Sequence, residues 1–170
     1  KKIDKIINEI KEKINKYIFS SSNKIKINSK DVIKNDIFLA LTGSKYHGNK
    51  FINEAIKAGA TYCITDKYSD KFKDNDNILL VDDIFLFIKD LSIKKRSLFE
   101  GEVIGITGSA GKTTLKENLN FFLQKNYKVS ASIKSYNNEL GVILSILNMN
   151  INSDYAIFEI GTNNFGEIKD

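Results

Sequence analysis

A chain of 170 residues that is 42% hydrophobic has enough apolar surface for one core or two small ones. None of its apolar runs approaches the ~20 residues of a membrane helix. The net charge of +5 comes from 25 Lys and a single Arg, Arg96, spread along the sequence. The arginine forks that read bases are therefore missing, and no nucleic-acid partner is expected. The first residues alternate Lys and Glu with Ile and form no secretory apolar core, Cys63 stands alone, and His47 is the only histidine. Disulfide frameworks, thiol-metal clusters, histidine-rich metal sites and two-imidazole mechanisms are thereby excluded, and the expectation is a cytoplasmic protein without membrane insertion.

In chain order, Ile3, Ile6, Ile7, Ile10, Ile14, Tyr17 and Ile18 recur at helical spacing and predict an amphipathic opening helix. Ile37–Leu41 reads as a buried strand ended by Thr42-Gly43-Ser44. A helix is predicted over Asn49–Ala58, with an apolar face of Phe51, Ile52, Ala55 and Ile56 and a stop at Gly59. Strands are expected at Thr61–Thr65 and Ile78–Val81, followed by a helix capped by Asp82 or Asp83 and running through Ile84, Phe87, Ile88 and Leu91. The charged stretch Lys94-Lys95-Arg96-Ser97 is the expected joint between two α/β units. Beyond it come a strand at Val103–Ile106, a helix over Thr113–Gln124, a strand near Lys128–Ser132, a helix through Leu140, Ile143, Leu144 and Leu147, and a strand at Tyr155–Gly161. Alternating strands and helices predict a mainly parallel sheet with ligands at the strands' C-terminal ends.

The chemistry concentrates at Thr107-Gly108-Ser109-Ala110-Gly111-Lys112-Thr113-Thr114, placed between a β-branched strand and a helix start. Glycines 108 and 111 let successive backbone N–H groups converge on an anion, and the helix adds its positive end. In a phosphate-binding loop of this kind Lys112 reaches the β- and γ-phosphates and Thr113 holds Mg²⁺. The strict P-loop pattern needs glycine at position 106, where this chain has Ile106, so the form is the shorter Gly-x-x-Gly-Lys-Thr-Thr. The motif specifies phosphate binding strongly and the reaction weakly.

Two further segments follow in order: Ser135-Tyr136-Asn137-Asn138-Glu139-Leu140-Gly141-Val142, and Phe158-Glu159-Ile160-Gly161-Thr162-Asn163 with Gly166-Glu167-Ile168. With these three features the chain resembles the Mur ligases of peptidoglycan synthesis. The Asn-Asn-Glu-Leu-Gly-Val turn and the Glu-Ile-Gly-Thr-Asn strand end are most similar to the branch that adds D-alanyl-D-alanine. The N-terminal half is similar to the family's UDP-substrate domain through Asn28-Ser29-Lys30, Asp36–Gly43, and His47-Gly48 with Phe51 and Gly59-Ala60. His47 stands where the family pattern has Asp before Gly, and Asn28, Lys30 and Asn35 also depart from the pattern. Ser29, Gly43 and Gly48 keep it.

The resemblance implies an α/β fold: a small UDP-substrate domain over residues 1–98, then the first part of a P-loop-type, mainly parallel ATP domain over 99–170. It implies an ATP-dependent amide ligase, monomeric, that joins D-alanyl-D-alanine to UDP-N-acetylmuramoyl-tripeptide through an acyl phosphate, with ATP and Mg²⁺ as cofactors. ATP would be held by Gly108, Ser109, Ala110, Gly111, Lys112, Thr113 and Thr114, with Lys112 and Glu159 catalytic and Thr113 and Glu159 on the metal. Ser29, Gly43, His47, Gly48, Asn137 and Asn138 would meet the UDP-substrate. From the residues alone, Glu159 reads equally well as a strand-end carboxylate facing water, Asn137 and Asn138 as an Asx turn, and Glu139 as a helix-start charge. The family's carbamylated lysine and C-terminal domain lie past Asp170, so this chain by itself is expected to bind ATP or UDP-substrate weakly and not to ligate. A Mur ligase for a different amino acid, a P-loop ATPase or GTPase switch, and a non-catalytic nucleotide-binding module stay open as alternatives.

Overall fold

A computed structural model describes residues 2–20, 24–72, 75–132 and 137–161. Two compact units divide the chain, Lys1–Asp90 and Leu91–Asp170. In the first, helix α1 (Lys2–Ser20) buries Ile14 and Ile18, four residues apart on one face. Strands β1 (Ile25–Lys26), β2 (Ile37–Leu39), β3 (Tyr62–Thr65) and β4 (Ile78–Leu80) lie side by side in that order, all parallel. Every residue of β2 is buried, the continuous apolar run of a strand covered on both faces. Helix α2 (Ile52–Ala58) ends at Gly59, whose φ of 105° is the left-handed stop foreseen in the sequence.

Two readings change. The helix expected from Asn49 begins as a 3-10 turn over Gly48–Phe51 and becomes α-helical only at Ile52. The tighter turn rotates Phe51 off the face that carries Ile52 and Ala55, leaving it 40% exposed. The expected joint Lys94–Ser97 is instead the last turn of α3 (Ile84–Ser97), a helix within which the division between units falls. Asp83 caps its start, accepting from the Leu86 N–H at 2.9 Å. The helix persists through its charged end because Lys95 points inward, where its ammonium donates to the Leu147 carbonyl at 2.7 Å.

The second unit contains β5 (Glu102–Ile106), α4 (Lys112–Leu123), β6 (Val129–Ala131), α5 (Glu139–Asn148) and β7 (Tyr155–Glu159). Its parallel strands run β5-β7-β6, so the last strand in sequence is central in the sheet, and β7 is buried from Ala156 to Glu159. α5 buries Ile143, Leu144 and Leu147, while Phe99, Met149, Ala156 and Phe158 form a contiguous cluster. The sequence readings at Ser135, Tyr136, Thr162, Asn163, Gly166, Glu167 and Ile168, and at the side chains of Ile3, Ile6, Ile7 and Ile10, fall outside the described residues. No helix among the described residues is long and apolar enough to cross a membrane.

Candidate functional site

Register builds the candidate phosphate site. Ile106 at the end of β5 pairs with Glu159 at the end of β7, and the Ile160 N–H donates to the Ile106 carbonyl at 2.8 Å. The chain leaving β5 therefore starts its glycine loop beside the Glu159 carboxylate. Gly108 has a φ of 143° and Gly111 a φ of 76°, conformations that favour glycine because most residues with a Cβ are strained there. A Cβ on Gly111 would meet nothing within 4 Å, so that glycine is required for its backbone angle and not for space. Helix α4 starts at Lys112, and no side chain caps it at Gly111. An uncapped helix start behind an exposed glycine loop, Gly108 to Gly111, suits an anion in both geometry and dipole. The Lys112 ammonium lies across the loop, donating to the Gly108 carbonyl at 2.6 Å.

Glu159 is 2% exposed. Its Oε2 accepts from the Thr113 hydroxyl at 2.8 Å and its Oε1 accepts from the Asn137 side-chain amide at 3.2 Å. The strand-end carboxylate facing water is thus replaced by a buried one, held on both oxygens by neutral donors from α4 and from the segment before α5. A carboxylate has about four lone-pair directions, so two remain for a further ligand. Among the described residues no three His, Cys, Asp or Glu side chains gather to cage a metal. A hard cation at Thr113 and Glu159 would take its remaining oxygens from phosphate and water, the usual habit of Mg²⁺ at a nucleotide. Asn138 caps α5, its Oδ1 accepting from the Gly141 N–H at 2.8 Å, and Glu139 lies in the first helical turn as expected. The chain at Asn137 also packs on Gly161, where a Cβ would come within 2.9 Å of the Asn137 side chain. Ser109, Ala110 and Thr114 are exposed beside the loop.

In the first unit, Ser29, Gly43, His47 and Gly48 lie in the connections that follow β1 and β2, at the C-terminal end of the parallel sheet. The Ser29 hydroxyl is buried and donates to Glu54 Oε2 at 3.1 Å. Gly43 and Gly48 close a tight hairpin: the Gly43 N–H donates to the Tyr46 carbonyl and the Gly48 N–H to the Leu41 carbonyl, both at 2.9 Å. Gly48 is pressed against the residue that follows β2, and a Cβ there would stand 2.6 Å from backbone atoms of Ala40. His47 Nε2 lies 2.9 Å from Asp66 Oδ1, while its Nδ1 accepts from the Asn49 N–H at 3.1 Å. Asn137 and Asn138, grouped with these residues in the sequence reading, belong to the second unit and are engaged there with Glu159 and α5.

Sequence reasoning missed Asp66, Lys95 and Lys116. Asp66 directly follows β3, where a carboxylate after a parallel strand was the available signal. The two lysines were hidden among 25. Lys116, on α4 one turn beyond Thr113, is fully buried and donates to the Ser132 carbonyl at 2.9 Å. Burial lowers Lys95 from 10.5 to about 8. Burial also raises the Cys63 thiol to about 12, which leaves it protonated and unreactive.

Both halves of the chain match models of one protein family. Residues 22–95 match the family model described as Mur ligase family, catalytic domain, and residues 106–170 match the Mur ligase middle domain. The UDP-N-acetylmuramoyl-tripeptide–D-alanyl-D-alanine ligase of Rickettsia prowazekii is 40% identical over 148 residues, covering 87% of this chain and 32% of that protein. The Bacillus subtilis enzyme of the same name is 31% identical over 135 residues, 79% of this chain and 30% of its own. A crystal structure of a MurF ligase from Thermotoga maritima in complex with ADP superposes with a TM-score of 0.69 at 32% identity, covering 89% of this chain and 34% of that one. A MurF structure from Acinetobacter baumannii gives the same TM-score at 30% identity, over 84% and 31% of the two chains. This chain therefore spans about a third of the length of the relatives it matches. From the glycine loop beside Glu159 to the hairpin after β2, and on both family matches, the chain belongs to the Mur ligase family.

Proposed function

We propose that this chain contributes the ATP site and the UDP-substrate site of an ATP-dependent ligase that joins D-alanyl-D-alanine to UDP-N-acetylmuramoyl-tripeptide in the cytoplasm. The observation that carries the reading is the Thr113–Glu159 hydrogen bond of 2.8 Å, made where β5 and β7 end together beneath the glycine loop. The names of the relatives and the ADP bound to the Thermotoga maritima structure support the choice of nucleotide and reaction. In such a ligation ATP converts a poorly electrophilic carboxylate into an acyl phosphate that an amine attacks. The residues here suit its first half. The exposed amides of the loop and the positive end of α4 receive phosphate oxygens. Lys112 exchanges the Gly108 carbonyl for the β- and γ-phosphates, supplying a cation where charge moves during transfer. Thr113 and Glu159 would hold Mg²⁺, which would neutralise phosphate charge, and Asn137 fixes the second carboxylate oxygen. Ser29, Gly43 and Gly48 shape the hairpin face that receives the UDP moiety.

Titrating the chain with ATP in the presence and absence of Mg²⁺, and separately with UDP, tests this assignment. Lys112→Ala is expected to weaken ATP binding at least ~10-fold, about 1.4 kcal/mol, while UDP affinity stays within about twofold. ATP affinity unaffected by Lys112→Ala overturns the loop's assignment. For the reaction itself, phosphate release by the full-length protein is expected to require both UDP-N-acetylmuramoyl-tripeptide and D-alanyl-D-alanine, and release that ignores either one refutes it.

A further inference from the structure

Both ring nitrogens of His47, a residue the sequence offers to the UDP-substrate, have partners within the protein. Its side chain is 15% exposed and that of Asp66 24%. The Asn49 N–H points at Nδ1, which must present a lone pair, so the ring proton resides on Nε2 and faces the Asp66 carboxylate. Each nitrogen has its partner. Asp66 reaches further, with Oδ2 3.5 Å from the Ile84 N–H at the start of α3. Alongside it the Asn49 amide donates to the Lys67 carbonyl at 2.6 Å, the Thr65 hydroxyl donates to Asn49 Oδ1, and the Lys67 N–H donates to the Thr65 hydroxyl oxygen at 3.2 Å. The side chains of His47 and Asn49 thus tie the residues after β2 to the end of β3 and the residues that follow it. An aspartate at position 47 could accept from Asn49 but could not donate to a second carboxylate.

We propose that Asp66 is a positioning residue for the UDP-substrate site: through His47 it holds the Thr42–Gly48 hairpin against the end of β3, and His47 serves as a clamp instead of a ligand contact. The inference rests on the assignment of Ser29, Gly43 and Gly48 to the UDP moiety. Thr42 and His47 form the bridge that closes the hairpin, so freeing His47 frees the turn that carries Gly43.

Because His47 is the only histidine, the imidazole ¹⁵N signals of the ¹⁵N-labelled chain report on it alone. At neutral pH the wild-type ring is expected to be protonated on Nε2 with Nδ1 bare, and to remain so when UDP is added. Asp66→Ala should yield a mixture of tautomers and weaken UDP binding about 10-fold, whereas Asp66→Asn, which retains an acceptor oxygen for the Nε2–H, should recover affinity to within about threefold of wild type. A wild-type ring protonated on Nδ1, or UDP affinity unchanged in Asp66→Ala, overturns the inference while leaving the UDP site in place. Absence of UDP binding by the wild-type chain at about 1 mM removes the UDP assignment and the positioning role together. Should Asp66→Ala not fold, the wild-type tautomer and the Asp66→Asn affinity decide the matter: loss of UDP binding in a folded Asp66→Asn chain refutes a role carried by the acceptor oxygen.

Discussion

Replacing Lys95 by Met should make the protein more stable near neutral pH and flatten part of its pH dependence. Lys95 is fully buried, donates to a carbonyl in the last turn of α5, and is lowered by desolvation from 10.5 to about 8. Its folded value lies below its unfolded value, so at neutral pH the fold carries the cost of a buried ammonium, and that cost falls as the pH rises from about 8 to about 10.5. At about 1.4 kcal/mol per decade, the full cost is roughly 3 kcal/mol. Between about pH 7.5 and about pH 10, wild type should gain about 2 kcal/mol relative to Lys95→Met, since every other titration is common to both chains and cancels. Methionine fills a similar volume without charge but leaves the Leu147 carbonyl without its ammonium donor, a loss of about 1 kcal/mol that offsets part of the gain. Urea unfolding of both chains across this pH range measures the difference directly. Parallel stability curves would refute the reasoning, because they would mean that the ammonium keeps its hydration in the folded state.

Gly48→Ala should destabilise the first unit by about 2 to 3 kcal/mol, because its Cβ would fall 2.6 Å from Ala40 backbone atoms that have no room to yield; thermal unfolding measures it. Gly111→Ala meets no neighbour within 4 Å and should cost only about 1 to 2 kcal/mol, for its φ of 76°. Glu159→Gln retains an acceptor for Thr113 and should leave stability within about 1 kcal/mol of wild type, while the Mg²⁺-dependent part of ATP affinity falls at least ~10-fold; equal Mg²⁺ dependence in the two chains would exclude Glu159 as a metal ligand.

Much of this architecture was legible because its signals are local. Apolar runs mark β2, β3, β5 and β7, Asp83 and Gly59 mark helix ends, and the glycine loop announces its own geometry. The misreadings arose where a long-range contact overrules local chemistry. Lys94–Ser97 reads as a polar joint, yet a single inward lysine reaching Leu147, distant in sequence, keeps it helical. Phe51 carries the right spacing for a buried face, but the 3-10 turn begun at His47 shifts its phase. Glu159 could be placed at a strand end from sequence, but its burial follows from the β5-β7-β6 order, which makes the last strand central. No periodicity encodes that order.

Both units place their candidate sites by the same physical route and secure them differently. Parallel strands in register bring successive connections to one sheet end, so residues far apart in sequence, such as Ile106 and Glu159 or Leu39 and Ile64, become neighbours through backbone pairing alone. In the second unit the connection after β5 is short and flows into a helix, so glycine angles and the start of α4 fix its shape and one carboxylate suffices to join it to β7. In the first unit the connection after β2 turns back as a hairpin and enters α2 only through the short 3-10 turn Gly48–Phe51, capped by His47. Backbone bonds close the hairpin, and the side chains of His47, Asn49, Thr65 and Asp66 tie it to the end of β3. Substitutions in the two loops should therefore differ in kind. Changes around Gly108–Gly111 act through backbone strain and charge, whereas changes at His47, Asn49, Thr65 and Asp66 act through the loss of specific hydrogen bonds, and only the latter should be rescued by substitutes that restore a donor or an acceptor.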